Sequence, residues 1–264
     1  MKKLKQKRTQ GGEATSDLTR SASVAGNAAV FPSILSLHMP DGGQIADVTF
    51  GRGVFWKNVD RRHWKVVGSD MLIEDKVQAR FTDLDLTTGV DFAQLPYKDT
   101  SMDGLVLDPP YMEGFYREDN DALAGSGSHS NLREAYSGGG EGVSIPRPRG
   151  RLAWQDRVID AYMAGASEAH RVLKDKGLLI IKCQDAVSAN TQRLAHVEII
   201  TGLEGLGFYC KDLFVVVREG RPGVSRIKKQ VHARKNHSYF LVFEKRASFG
   251  RLSCRACREQ SHKK

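Results

Sequence analysis

The segment Asp103–Asp108 (DGLVLD), followed at once by Pro109, Pro110 and Tyr111, constrains this chain more than any other. Its apolar centre reads as a strand. Two consecutive prolines cannot continue a central strand, because neither carries the N–H that the ladder needs and both have φ locked. The strand must therefore end at Asp108. The chain leaves the sheet stiffly, projecting a carboxylate, the Pro109 carbonyl and an aromatic ring at one sheet edge.

Around this segment strands and helices alternate. A helix is expected within 27–39, entered near Pro32, then a strand at Gln44–Thr49, a glycine turn (FGRG) and a helix at Val54–Arg61. Strands follow at Trp64–Gly68, weakly at Gln78–Thr82, and at Asp103–Asp108. A helix is expected from Trp154 to Leu173, a strand at Gly177–Cys183 and a helix from Asn190 to Leu206. Two final strands, Phe208–Val217 and Ser238–Phe243, have no helix between them. This order predicts an α/β fold whose mostly parallel sheet carries helices on both faces and is closed by an antiparallel hairpin. Residues 1–26 read as a flexible basic arm, 27–245 as the folded domain and 246–264 as a basic tail. Residues 112–150, rich in Gly, Ser and Pro, read as a mobile insertion, a lid or a target-recognition segment.

The run Asp47-Val48-Thr49-Phe50-Gly51-Arg52-Gly53 closes the first of the alternating strands, and Asp70 lies 23 residues after Asp47. Glycines there let the backbone turn sharply and approach a ligand, and an acid at the end of the next strand can accept hydrogen bonds from both ribose hydroxyls. The third glycine of a dinucleotide fingerprint is missing, because Trp56 occupies its place. A pyrophosphate wants the longer pattern, whereas an adenosyl group does not.

Together DVTFGRG, Asp70 and LVLDPPY resemble the cofactor and catalytic motifs of the amino-methyltransferases that use S-adenosylmethionine on nucleic acids. The likeness spans 27–245, and its order, glycine motif before DPPY, is similar to the gamma arrangement of DNA adenine methyltransferases. Val48 and Thr49 depart from the Pro-Phe pair usual in that turn. The resemblance implies a Rossmann-like methyltransferase fold with a seven-stranded sheet, and S-adenosylmethionine as cofactor. It implies catalysis at Asp108, Pro109, Pro110 and Tyr111, and cofactor contacts from Phe31, Asp47, Thr49, Gly51, Gly53, Asp70 and Asp83. Phe31 reads equally as a core residue, and Asp83 equally as a solvated acid. The implied reaction is methyl transfer to N6 of adenine in DNA. RNA amino groups, cytosine N4 and a non-catalytic binding role are the alternatives. His232–His237, containing Arg234-Lys235-Asn236-His237, resembles a segment that precedes the last strand in such enzymes.

Charge supports a polyanionic partner. Residues 1–10, 218–235 and 245–264 carry net charges of +5, +6 and +6, so under a total of +9 the remaining chain is net −8. The internal strip holds Arg218, Arg221, Arg226, Lys228, Lys229, Arg234 and Lys235, and is expected to bind nucleic acid, DNA before RNA. No apolar run approaches the roughly 20 residues of a membrane span. The basic N-terminus is not followed by the apolar stretch of a secretory signal. Four cysteines are too few for a disulfide scaffold, so reduced thiols and a cytoplasmic location are expected. Cys254, Cys257 and His262 offer three ligands where a tetrahedral zinc site wants four, so no metal is expected.

Overall fold

The computed structural model describes residues 11, 16, 18–111, 154–220 and 229–246. Among them the strands of the main sheet are β1 (Ala22–Val24), β2 (Gly43–Asp47), β3 (Trp64–Asp70), β4 (Asp85–Thr88), β5 (Met102–Leu107), β6 (Leu173–Cys183), β9 (Phe208–Val217) and β10 (His237–Lys245). β7 (Ala186–Ser188) and β8 (Thr191–Arg193) form a separate hairpin. The helices are α1 (Asn27–His38), α2 (Asp75–Gln78), α3 (Trp154–Val172) and α4 (Ala195–Gly205).

The strand order across the sheet is β1-β9-β10-β6-β5-β2-β3-β4. β4, β3, β2, β5 and β6 run parallel, and β10 inserts antiparallel between β6 and β9. Parallel strands buried on both faces are apolar nearly throughout, and the 177–183 part of β6 shows this. Leu179, Ile181 and Cys183 face a cluster built with α3 and α4, through Val158, Ala161, Tyr162, Ile199 and Leu203. Leu178 and Ile180 face the opposite cluster, built with α1 and the turn after β2, through Phe31, Ile34, Leu35 and Trp56. The molecule is thus a helix–sheet–helix sandwich. Its strand order reverses between β2 and β5, and the crevice outside their carboxyl ends is where such sheets place ligands.

The structure corrects several expectations. The sheet has eight strands rather than seven, because Ala22–Val24, assigned to the arm, pairs in parallel with β9. Three residues of mixed character show no periodicity, so only the neighbour's open edge makes them a strand. The weak strand at 78–82 is absent. Asp75–Gln78 is instead a helical turn that buries Val77, and the strand lies later, at Asp85–Thr88, too polar to show a pattern. Val54–Arg61 is not one helix but a 3-10 turn at Phe55–Asn58 and another at Arg61–His63, separated by extended backbone at Val59 and Asp60. The helix expected from Asn190 begins only at Ala195. Ala189 and Asn190 take positive φ (46° and 59°) and turn the β7–β8 hairpin. Pro32 lies inside α1 rather than at its start.

Candidate active site at the carboxyl edge of the sheet

β2 and β5 end side by side, and their exits are tied together. The Val48 N–H donates to the Val106 carbonyl (3.1 Å), and the Asp108 N–H donates to Thr49 Oγ1 (2.6 Å). Pro109 and Pro110 can offer no N–H to the sheet, so this bond to Thr49 is the anchor of the segment. Thr49 therefore holds the Asp108–Tyr111 segment against the glycine turn.

The turn is braced by buried acids. Asp47, 2% exposed, accepts from Trp56 Nε1 (2.7 Å) and from the Thr49 N–H (3.2 Å). Trp56, standing where a third glycine would fall, is thus the donor that fixes Asp47. Asp70, 3% exposed, accepts from the Gly51 N–H (2.9 Å) and the Leu72 N–H (3.3 Å). Gly51 and Gly53 both take positive φ (49° and 62°). A Cβ on Gly53 would stand 2.4 Å from the Phe81 ring, whereas one on Gly51 would meet nothing nearer than Asp70 Oδ2 and the Thr49 carbonyl at 3.8 Å. Gly53 is demanded by internal packing, and Gly51 leaves space beside the Asp70 carboxylate.

Asp108 Oδ1 is sealed from solvent and has no hydrogen-bond partner among the described residues. Burial raises the Asp108 carboxyl above the ordinary carboxylate range, and neighbouring Asp70 adds to this while Lys182 opposes it. Burial likewise raises Asp47 to about 7 against its two hydrogen bonds, with the charges of Asp70 and Asp108 contributing further. Three acids share this edge at a cost, and that arrangement suits a cationic ligand.

Tyr111 follows the two prolines, and its hydroxyl accepts from Arg218 Nη2 (3.2 Å). The strip that opens at Arg218 therefore starts against the DPPY segment. Arg218 is fixed in turn by its N–H donating to the Asn236 carbonyl (2.8 Å). Lys235 Nζ reaches Gln192 Oε1 on β8 (2.6 Å), and His232 Nε2 lies 3.0 Å from the Asn190 carbonyl at the hairpin tip. The described part of the strip thus lies along the β7–β8 hairpin, with Lys229 and Arg234 on the same stretch. Arg221, Arg226, Lys228 and the 112–150 segment lie outside the described residues, as do Cys254, Cys257 and His262. No cluster of metal-ligating residues occurs among the described residues, and no helix among them is long and apolar enough to cross a membrane.

Two expected site residues are elsewhere. Phe31 is 0% exposed, packed between Phe55 (5.1 Å between ring centres), Trp56 (5.2 Å) and Phe240 (5.9 Å). It is a core residue with no ring surface left for a ligand. Asp83 precedes β4, at the amino edge of the sheet, and pairs with Arg61 through both oxygens (2.8 and 3.0 Å). That charge-assisted pair holds it well away from the carboxyl edge.

Two residues at the edge went unnoticed in the sequence. Asp91 follows β4, next to the Val90 N–H that donates to the Asp70 carbonyl (3.1 Å), and its Oδ1 accepts from the Ala93 N–H (2.8 Å). Misplacing β4 by several residues hid it. Lys182, near the end of β6, is only 2% exposed. The visible signal was a lysine inside an apolar strand, Gly177–Cys183.

No family model matches this chain, and no curated protein matches it. Solved structures resemble it at low identity. One is the Burkholderia thailandensis 1,6-didemethyltoxoflavin-N1-methyltransferase with bound 1,6-didemethyltoxoflavin and S-adenosylhomocysteine, at 13% identity and TM-score 0.50, covering 83% of this chain and 78% of that one. A SAM-dependent methyltransferase from Methanosarcina mazei matches at 12% identity and TM-score 0.50, covering 81% of this chain and 98% of its own. A Bacillus halodurans protein described as a putative methyltransferase matches at 14% identity and TM-score 0.50, covering 83% and 99%. The fold is the Rossmann-like fold of class-I methyltransferases.

Proposed function

We propose that this chain is an S-adenosylmethionine-dependent methyltransferase acting on the N6 amino group of adenine in DNA. The observation that carries the reading is the Asp108–Tyr111 segment. It leaves the central strand β5 at the topological switch point, is anchored by the Asp108 N–H on Thr49, and holds a carboxylate oxygen with no hydrogen-bond partner among the described residues beside the glycine turn.

The donor set fits the cofactor. Open space beside Asp70 at Gly51 suits a ribose whose hydroxyls the carboxylate accepts. Asp91 stands at the carboxyl end of β4, where its carboxylate can accept from the adenine amino group of the cofactor, a contact closed to Asp83 at the opposite edge. Asp70 and Asp108 supply negative charge opposite a sulfonium. S-adenosylmethionine bound there supplies an electrophilic methyl group.

The chain's own residues prepare the nucleophile. An aromatic amine attacks poorly because its lone pair is delocalised into the ring. The Asp108 carboxylate and the Pro109 carbonyl accept its two hydrogens, which draws the nitrogen toward tetrahedral geometry and frees the lone pair. The nitrogen itself is the nucleophile, so no enzyme thiol takes part, in keeping with Cys183, whose thiol burial holds neutral. Tyr111 offers a face for stacking on a base extruded from the duplex, which offsets part of the unstacking cost.

The test is incubation with labelled S-adenosylmethionine and matched DNA and RNA, followed by digestion and identification of the modified nucleoside. The expected product is N6-methyladenine in DNA. Label confined to RNA, or in cytosine, would reassign the substrate, and no transfer to either polymer would overturn the reading. Asp108→Ala should abolish transfer while S-adenosylmethionine still binds, because its carboxylate acts mainly in the transition state.

A further inference from the structure

Lys182 is a charged side chain almost fully enclosed in the sheet, and nothing in the mechanism above accounts for it. Its Nζ donates to Ser238 Oγ on β10 and lies 4.6 Å from the centre of the Phe240 ring. Among the described residues it makes no ion pair within direct contact distance. A lysine in such a position is costly unless another charge repays it.

The register of the sheet supplies that charge. β5 and β6 are parallel neighbours with Leu107 opposite Ile181, so Asp108 and Lys182 are the next residues along adjacent strand ends. Val106 and Ile180 face the α1 side of the sheet. By alternation Lys182 points to that same side, which its position over Phe240 bears out. The Asp108 oxygen without a hydrogen-bond partner and the lysine without a contact carboxylate are therefore neighbours. Their charges interact favourably.

We propose that Lys182 is the positioning residue that keeps Asp108 a carboxylate, ready to accept from the substrate amino group, and that Ser238 and Phe240 aim its ammonium. The inference rests on the amino-methyltransferase reading, yet it concerns the charge state of the free protein and can be tested without turnover.

The other groups around the pair are known. Asp47 on β2 and Asp70 on β3 press Asp108 toward its neutral form, and Tyr111 beside it stays protonated. Arg218, beyond β9, adds positive charge that works against the Lys182 ammonium, while the neighbouring Cys183 is a neutral thiol. Lys182 thus supplies the charge that opposes two acids and burial. Removing it should leave Asp108 protonated at neutral pH, a form that donates where it must accept.

The experiment follows the Asp108 carboxyl carbon by NMR through a pH titration of the cofactor-free protein. Lys182→Met should raise the Asp108 midpoint by about 1 pH unit or more. Lys182→Arg, which keeps the charge, should restore most of it. In the reciprocal variant Asp108→Asn, the Lys182 ammonium should titrate at lower pH than in the wild type, since such coupling is mutual. This second variant answers the question if Lys182→Met does not fold. With an active enzyme, the acid limb of kcat/KM should move upward with Lys182→Met, whereas a purely structural defect would lower the rate equally at every pH. Unchanged titration of Asp108 in Lys182→Met, or of Lys182 in Asp108→Asn, overturns the proposal. A wild type that transfers no methyl group would overturn the functional reading and leave the titration result standing.

Discussion

At the level of single side chains, Asp70 and Asp47 look alike, two buried acids at the ends of neighbouring strands, yet their hydrogen bonds separate them. Asp70 accepts from the backbone N–H groups of Gly51 and Leu72, and open space lies beside it at Gly51. Asp70→Ala should weaken S-adenosylmethionine binding by about 1–3 kcal/mol, as expected for hydrogen bonds to a charged acceptor. Calorimetry showing wild-type affinity in this variant would remove Asp70 from the ribose site. Asp47 is instead occupied by Trp56 and Thr49, so its work is internal. Burial raises it from 3.8 to about 7. The folded state therefore holds a proton that the unfolded state has already released, and wild-type stability contributed by this group falls as pH rises between those values. Asp47→Asn replaces the carboxyl with an amide that does not titrate, so it escapes that decline. Urea midpoints should accordingly shift in favour of the variant from pH 5 to pH 8, and a constant difference across that range would refute the account.

The glycine turn after β2 is the element on which the site depends, and its two glycines do different work. Gly53→Ala must displace the Phe81 ring from 2.4 Å while holding φ at 62°. Overpacking of this kind costs about 1–3 kcal/mol, and the left-handed backbone adds about 1–2 kcal/mol. Gly51→Ala meets no such neighbour and should lose only the backbone part. It narrows the space beside Asp70, so its larger effect should fall on cofactor affinity. Chemical denaturation and calorimetry on the two variants should show opposite rankings, and equal losses of stability would contradict the packing argument. The Asp108–Tyr111 segment is the other half of the site, and it is held from two directions, by Thr49 on the cofactor side and by Arg218 on the strip side.

Over the whole sequence, three basic segments accompany a net acidic remainder, and the described part of the internal strip lies along the β7–β8 hairpin and reaches Tyr111 through Arg218. If nucleic acid lies along this strip, affinity should fall with salt by a log–log slope of roughly −0.9 per phosphate neutralised on duplex DNA. Replacing Lys228 and Lys229 by Ala should flatten that slope and weaken all sequences alike, because phosphate contacts position without specifying. An unchanged slope in filter binding across a salt series would take the strip out of the interface.

Much of this architecture was legible in the chain itself. Apolar runs such as LVL and LLII can hardly be anything but buried strands. A double proline must end a strand wherever it falls, and a glycine pair after a strand announces a turn. These are local consequences of backbone sterics and hydrophobic burial, and they brought Asp108, Tyr111, Asp70 and the glycine turn to one edge without any coordinates. What local rules could not decide were the elements whose stability comes from neighbours. β1 and β4 are short and largely exposed, and exist because β9 and β3 offer open hydrogen-bonding edges. Phe31 and Asp83 were assigned by resemblance, but packing among aromatic rings enclosed the first, and the offset of β4 carried the second to the opposite edge. The same offset brought Asp91 into the site. The pairing of Lys182 with Asp108 depends on the register between two strands whose partners, such as Leu107 and Ile181, lie 74 positions apart in the sequence. Only the closed sheet brings those charges together, because a buried charge acquires meaning from whatever folds against it.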